Sequence, residues 1–198
     1  MSWIRLLLLL LLSLESLARP AGQLFTNPAI GVRYRGPADS LLVTNPKTLD
    51  EFLKRGAKYT KIPLTVTQHK TMGQQFMVTW KWMVKPAFTA NVELVTEPLT
   101  TPISDVQFLR RNVRSLGASM QGLKMISQGQ TRKIGGRKFF RLEWEANMGT
   151  YRARARTYLR VNAKKNMAYL VTLTDRAERK GANFPKLEKL LVGFHFSD

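Results

Sequence analysis

Between Lys138 and Val161 the chain alternates apolar and polar side chains in two stretches around one short interruption, and that pattern admits few folds. Phe140, Leu142, Trp144 and Ala146 alternate with Phe139, Arg141, Glu143 and Glu145. After Asn147-Met148-Gly149-Thr150 the alternation resumes, with Tyr151, Ala153, Ala155, Thr157 and Leu159 set against Arg152, Arg154, Arg156, Tyr158 and Arg160. A period of two sends successive side chains to opposite faces of an extended strand, so the segment predicts an antiparallel hairpin. A hairpin symmetric about the loop pairs Glu145 with Arg152, Glu143 with Arg154 and Arg141 with Arg156. The last pair sets like charges opposite each other, which destabilises a sheet.

The rest of the chain supplies elements that such a hairpin can join. Residues 19–48 are rich in Pro, Gly and Asn and read as an irregular lead-in with short strands near Ile30–Tyr34 and Leu41–Val43. Leu49, Phe52 and Leu53 predict a short helix at 48–57. Alternation over Phe76–Met83 and Phe88–Val95, with Lys85-Pro86 between, predicts a second hairpin. Ser104 is a natural N-cap and Asp105 suits the positive helix end, so a helix is expected over 104–117 with Val106, Leu109, Val113 and Leu116 inward and Gly117 as its stop. A strand follows over 124–134, up to the Gly135-Gly136 turn. Met167–Thr174 is apolar on both faces, as a central strand is. Asp175–Asn183 reads as a charged loop, and Pro185 opens a last helix with Leu187, Leu190 and Leu191 inward, followed by Phe194 and Phe196. Strands joined by short turns, with helices at separate points, predict an α+β fold with an antiparallel sheet flanked by helices, in one domain over 49–198.

Residues 1–18 read as a cleavable secretory signal peptide. Arg5 precedes the apolar run Leu6–Leu12, and Ser16 and Ala18 are small residues at the −3 and −1 positions of a cleavage point before Arg19. The run is shorter than the roughly 20 residues a spanning helix needs. Glu15 weakens the cleavage signal, and the alternative is a retained anchor. Export, to a periplasm, a thylakoid lumen or the exterior, is therefore expected. The chain has no Cys, so stability must come from packing, and thiol nucleophiles, thiolate metal sites and a lipid-bearing cysteine are all excluded.

Charge defines the expected partners. Lys and Arg number 32 against 13 Asp and Glu, a net +19, and the leader carries only one of each sign. A domain so basic attracts anionic surfaces or remains merely basic. Arg152, Arg154, Arg156 and Arg160 share one strand face with Arg141, and guanidinium forks suit carboxylate and phosphate. Arg132, Lys133, Arg137 and Lys138 flank the adjoining turn, and Arg110, Arg111 and Arg114 add a helical patch. These are the candidate sites for an anionic partner. Export argues against nucleic acid. Trp80 and Trp82 share a strand face; with Trp144 they are either core or the lining of a ligand pocket.

Catalytic signals are sparse. The two His, His69 and His195, are isolated, which leaves no zinc set, and no acidic loop is patterned for a hard cation. There is no Gly-x-Ser-x-Gly elbow, no phosphate loop and no dinucleotide fingerprint. Glu143 and Glu145 are an acid pair, but Arg152 and Arg154 account for them more simply. No cofactor, metal or catalytic residue is expected.

Over residues 88–198 several motifs occur in a telling order. They are Asn91-Val92-Glu93-Leu94-Val95, Ile103-Ser104-Asp105 at a helix start, and Ile134-Gly135-Gly136-Arg137-Lys138-Phe139-Phe140-Arg141-Leu142-Glu143. Asn166-Met167-Ala168-Tyr169-Leu170-Val171-Thr172-Leu173 and a closing Val192-Gly193-Phe194-His195-Phe196 complete the set. In this the chain resembles the PsbP-like superfamily, whose members include PsbP and DcrB. The resemblance implies an α/β/α sandwich around an antiparallel sheet and a non-catalytic exported accessory or binding module. The expected function is docking through a basic face onto an acidic protein complex or anionic envelope surface, with a small-ligand carrier as the alternative and an enzyme third.

Overall fold

Seven strands form one fully antiparallel sheet, in the order β3 (Ser40–Val43), β4 (Gln74–Trp80), β5 (Asn91–Pro98), β9 (Met167–Arg176), β8 (Arg152–Asn162), β7 (Arg137–Asn147) and β6 (Lys124–Ile134), and three short strands form a second, in the order β1 (Leu24–Asn27), β2 (Val32–Arg35) and β10 (Phe194–Phe196). The computed structural model describes residues 24–44, 74–83, 90–148 and 151–198. The leader at 1–18, the helix expected at 48–57, His69, and the Lys85-Pro86 link with the first residues of the strand expected from Phe88 lie outside the described residues.

Helix α1 (Asp105–Ser119) links β5 to β6, and α2 (Phe184–Glu188) continues into a 3₁₀ turn at Lys189–Gly193. This is an α+β arrangement. β9 lies between β5 and β8, the central place that its two apolar faces require.

The large sheet has a core on each face. Phe76, Val92, Leu94, Phe139, Tyr158, Tyr169, Val171 and Leu173 look toward the small sheet and α2, where Tyr34, Leu187, Leu190, Phe194 and Phe196 meet them. Leu142, Trp144, Ala146, Ala155, Leu159 and Ala168 look the other way, toward Phe108 of α1. The lead-in is thus part of the fold: Tyr34 of β2 is fully buried and its ring stands 4.8 Å from Phe194.

α1 begins where Ser104 predicts. The Ser104 hydroxyl accepts from the Gln107 amide at 3.2 Å and the Gln107 side chain accepts from the Ser104 amide at 2.8 Å, a reciprocal capping box. The Asp105 carboxylate accepts from the amide of Val161 and so ties the helix start to β8. Ser104→Ala should cost about 1 kcal/mol of stability, read from urea denaturation, and a loss below ~0.3 kcal/mol would show the cap to be dispensable. Two expectations about this helix are corrected. It runs past Gly117 to Ser119, and Val106 is 42% exposed, so the buried stripe is Phe108 with Leu109, Val113 and Leu116.

The hairpin register also differs from the symmetric one. Asn147 faces Arg152, Glu145 faces Arg154, Glu143 faces Arg156, and Arg141 faces Tyr158. The shift of two residues keeps every side chain on its predicted face and removes the Arg141–Arg156 opposition. At the other end of β7 the tight turn needs glycine. Gly135 has φ +54°, and a Cβ there would sit 2.5 Å from the Phe194 carbonyl oxygen of β10.

Candidate anion-facing surface

Arg152, Arg154, Arg156 and Arg160 alternate along one face of β8, the face on which Glu188 of α2 pairs with Arg156. Glu143 is almost wholly buried and each of its carboxylate oxygens accepts a guanidinium fork. Oε1 takes Nε and Nη2 of Arg154 at 2.9 and 2.6 Å, and Oε2 takes Nε and Nη2 of Arg156 at 3.1 and 2.9 Å. Glu145 receives Arg152 at 3.3 Å and lies 3.6 Å from Arg154. Glu188 comes from α2. Its Oε1 accepts from Arg156 at 2.5 Å and from the Tyr158 hydroxyl at 3.1 Å, and its Oε2 pairs with Arg132 at 2.6 Å. Arg160 and Arg137 share Asp198, at 2.9 and 2.6 Å.

The electrostatics follow from this geometry. Burial alone would raise the carboxyl pKa of Glu143, but hydrogen bonds and charge from Arg154 and Arg156 outweigh it and hold it below the ordinary carboxylate value. The same balance, with Arg132 and Arg156 as partners, lowers Glu188. Burial and the charge of Glu188 push the Tyr158 phenol above its ordinary value, so it donates its proton to that carboxylate. On the opposite face of the large sheet, burial pushes the carboxyl of Glu93, set between Met77 and Thr172, up to about 7.

The remaining candidate residues fall into three groups. Arg141 makes no ion pair among the described residues, and its Nε is buried without a hydrogen-bond partner. Arg110 and Arg114 are exposed on α1, whereas Arg111 pairs with Glu97 at 2.6 Å and lies over the Phe108 ring. Lys133 and Lys138 are exposed opposite each other beside the Gly135-Gly136 turn.

The tryptophans do not gather at one site. Trp144 packs into the α1-side core and donates to the Thr157 hydroxyl at 3.3 Å. Trp80 packs against the other core, on the opposite face of the sheet, because it belongs to the alternating set of Phe76 and Val78. β4 ends at Trp80, so Trp82 lies in a 3₁₀ turn, where its ring stacks on Trp80 at 6.4 Å. A pocket lined by all three is therefore corrected to a Trp80–Trp82 stack and a separate core tryptophan.

Sequence reasoning did not find Glu188 or Asp198, which neutralise the arginine face. Neither sits in a motif; each reaches that face only through the packing of the C-terminal segment. Among the described residues no three His, Asp or Glu side chains come together as a metal-binding group, and no helix is long and apolar enough to cross a membrane.

No protein-family model matches the sequence, and no curated protein matches it. Solved structures do match. The solution structure of cyanobacterial PsbP (CyanoP) from Synechocystis sp. PCC 6803 aligns with a TM-score of 0.50 at 10% identity, over 89% of this chain and 93% of that one. LpqN, involved in cell envelope biogenesis of Mycobacterium tuberculosis, aligns with a TM-score of 0.55 at 9% identity, over 84% of this chain and 83% of that one. With the antiparallel sheets and flanking helices described above, these alignments show that the chain has a PsbP-like fold.

Proposed function

We propose that the protein is an exported, non-catalytic accessory module that docks by electrostatics onto an anionic partner, either an acidic protein complex or an anionic envelope surface. The observation that carries this reading is the division among its cations. Arg132, Arg137, Arg152, Arg154, Arg156 and Arg160 are paired with Glu143, Glu145, Glu188 and Asp198 of the same chain. Arg110, Arg114, Lys133 and Lys138 stand exposed without ion pairs among the described residues. In a chain of net +19 these exposed cations are charges available to a partner. Sharing a fold with LpqN, a protein of cell envelope biogenesis, supports an envelope setting.

The arginines that pair internally are poor probes of docking, because replacing them tests stability. The informative variant carries Arg110→Gln, Arg114→Gln, Lys133→Gln and Lys138→Gln. Its retention on immobilised poly-glutamate should weaken about tenfold at low ionic strength, and wild-type retention should fall steeply as salt rises past 0.15 M. Retention indifferent to both salt and these substitutions would overturn the reading.

A further inference from the structure

Five large apolar side chains are the most exposed among the described residues, and three of them lie on neighbouring segments: Leu24 at 53%, Trp82 at 54% and Val192 at 76%. A chain of close contacts links these segments. Leu24 of β1 faces Arg35 of β2, and Gly193, which follows Val192, packs so closely on the Arg35 carbonyl that a side chain there would collide with it. Residues 36–39 then lead to Ser40 of β3, which faces Trp80 of β4. The Trp80 indole donates to the Lys186 carbonyl at 2.9 Å, and the Lys186 ammonium lies over the Trp82 ring, 5.2 Å from its centre. Trp80 lies beyond the β4–β5 pairing on the side where β9 finishes, whereas Lys133 and Lys138 lie where it starts.

The charges around these side chains have one dominant sign. Arg35, Lys81, Lys180, Lys186 and Lys189 are exposed there, against the exposed carboxylates of Asp39 and Glu178. Glu188 and Asp175 are turned inward, Glu188 to Arg132 and Arg156 and Asp175 to Asn183 and Arg179. Along the C-terminal segment Phe184, Leu187, Leu190 and Leu191 are buried, while Lys186, Lys189 and Val192 are exposed at intervals of three. Those intervals place the two lysines and the valine on one outward face as α2 tightens into its 3₁₀ turn.

We propose that these segments form a docking surface for an anionic lipid headgroup layer, with Trp82, Val192 and Leu24 entering the headgroup–acyl boundary and Lys186 and Lys189 contacting the headgroups. The inference rests on the anionic-partner reading above and specifies its chemistry. Indole has an apolar body and a polar N–H, the combination favoured at a membrane interface. Lysine lays its methylenes along apolar surface while its ammonium stays at headgroup level. A lipid surface is favoured over an acidic protein for two reasons. The exposed cations here are chiefly lysines, point charges suited to a diffuse headgroup layer, while the bidentate arginine forks of Arg154 and Arg156 are engaged by Glu143. The apolar residues also come from three separate elements and project singly, which suits entry among lipids better than a shared groove on a partner.

The test is co-sedimentation of the full chain with vesicles of phosphatidylcholine alone and with 30% phosphatidylglycerol. Residues 6–12 are common to every variant, so their contribution cancels between wild type and variant. Wild type should partition to the phosphatidylglycerol vesicles at least tenfold more strongly than to the neutral ones. Lys186→Gln with Lys189→Gln should weaken that partition about fivefold per lysine. Val192→Asp, at a side chain outside the core, should weaken it at least tenfold, and brominated lipid should quench a tryptophan signal that Trp82→Leu removes. Equal partition to both vesicles, or variants that bind anionic vesicles like wild type, would overturn the proposal. Binding to poly-glutamate without binding to vesicles would overturn it while leaving the anionic-partner reading intact, and binding to neither would remove both.

Discussion

Glu143→Gln should destabilise the protein by about 3 kcal/mol, measured by urea denaturation at pH 7. The residue is 4% exposed, and its carboxylate holds two guanidinium groups, one on each oxygen. Neutralising it leaves Arg154 with only a long 3.6 Å contact to Glu145 and leaves Arg156 dependent on Glu188. Removing one member of a buried ionic group costs about 3–5 kcal/mol, and the partial exposure of both arginines argues for the low end. A loss below ~1 kcal/mol would show that water screens the ladder more than its burial implies. The same substitution should alter the pH dependence. Glu143 and Glu188 have folded-state pKa values below the ordinary one. Their contribution is therefore complete above the unfolded value of about 4.3 and is lost as pH falls through the folded values. Wild type should lose stability below about pH 4, and Glu143→Gln should lose less over the same range.

Phe108→Ala should cost about 3–4 kcal/mol, because the ring is fully buried between α1 and the large sheet. Val106, two residues earlier on the same helix, is largely exposed, and Val106→Ala should change stability by less than ~0.5 kcal/mol. The pair of variants discriminates between two rotations of α1 about its axis. Comparable losses from both would contradict the observed orientation.

That rotation illustrates what periodicity can and cannot convey. Ser104, Asp105 and the i, i+3, i+4 spacing announce a helix and its start, because capping is local chemistry. Which of Val106 and Phe108 turns inward depends on the sheet surface the helix meets. The observed answer buries the larger ring, with Leu109, Val113 and Leu116 packed beside it. The short strands fared similarly. β10 spans Phe194–Phe196, too few residues for an alternation signal, and its partner β2 lies near the opposite end of the chain. Pairing of that kind is stabilised by the rings of Tyr34, Phe76 and Phe194 packing together, Phe76 stacked on Phe194 and Tyr34 edge-on to Phe194, a contact no local window contains.

The hairpin of residues 137–162 marks the boundary most clearly. Alternation along β7 and β8 determined that Arg152, Arg154 and Arg156 share a face with Glu143 and Glu145, since a strand has a period of two and no choice of register in steps of two changes it. Only the tertiary structure decided how those charges combine. The register put Tyr158 rather than Arg156 opposite Arg141, and the C-terminal segment delivered Glu188 and Asp198 to arginines far away in sequence. Ion pairing falls off within a few ångströms, so it is set by which elements pack together, and a row of arginines legible as a basic face became in large part an internal network.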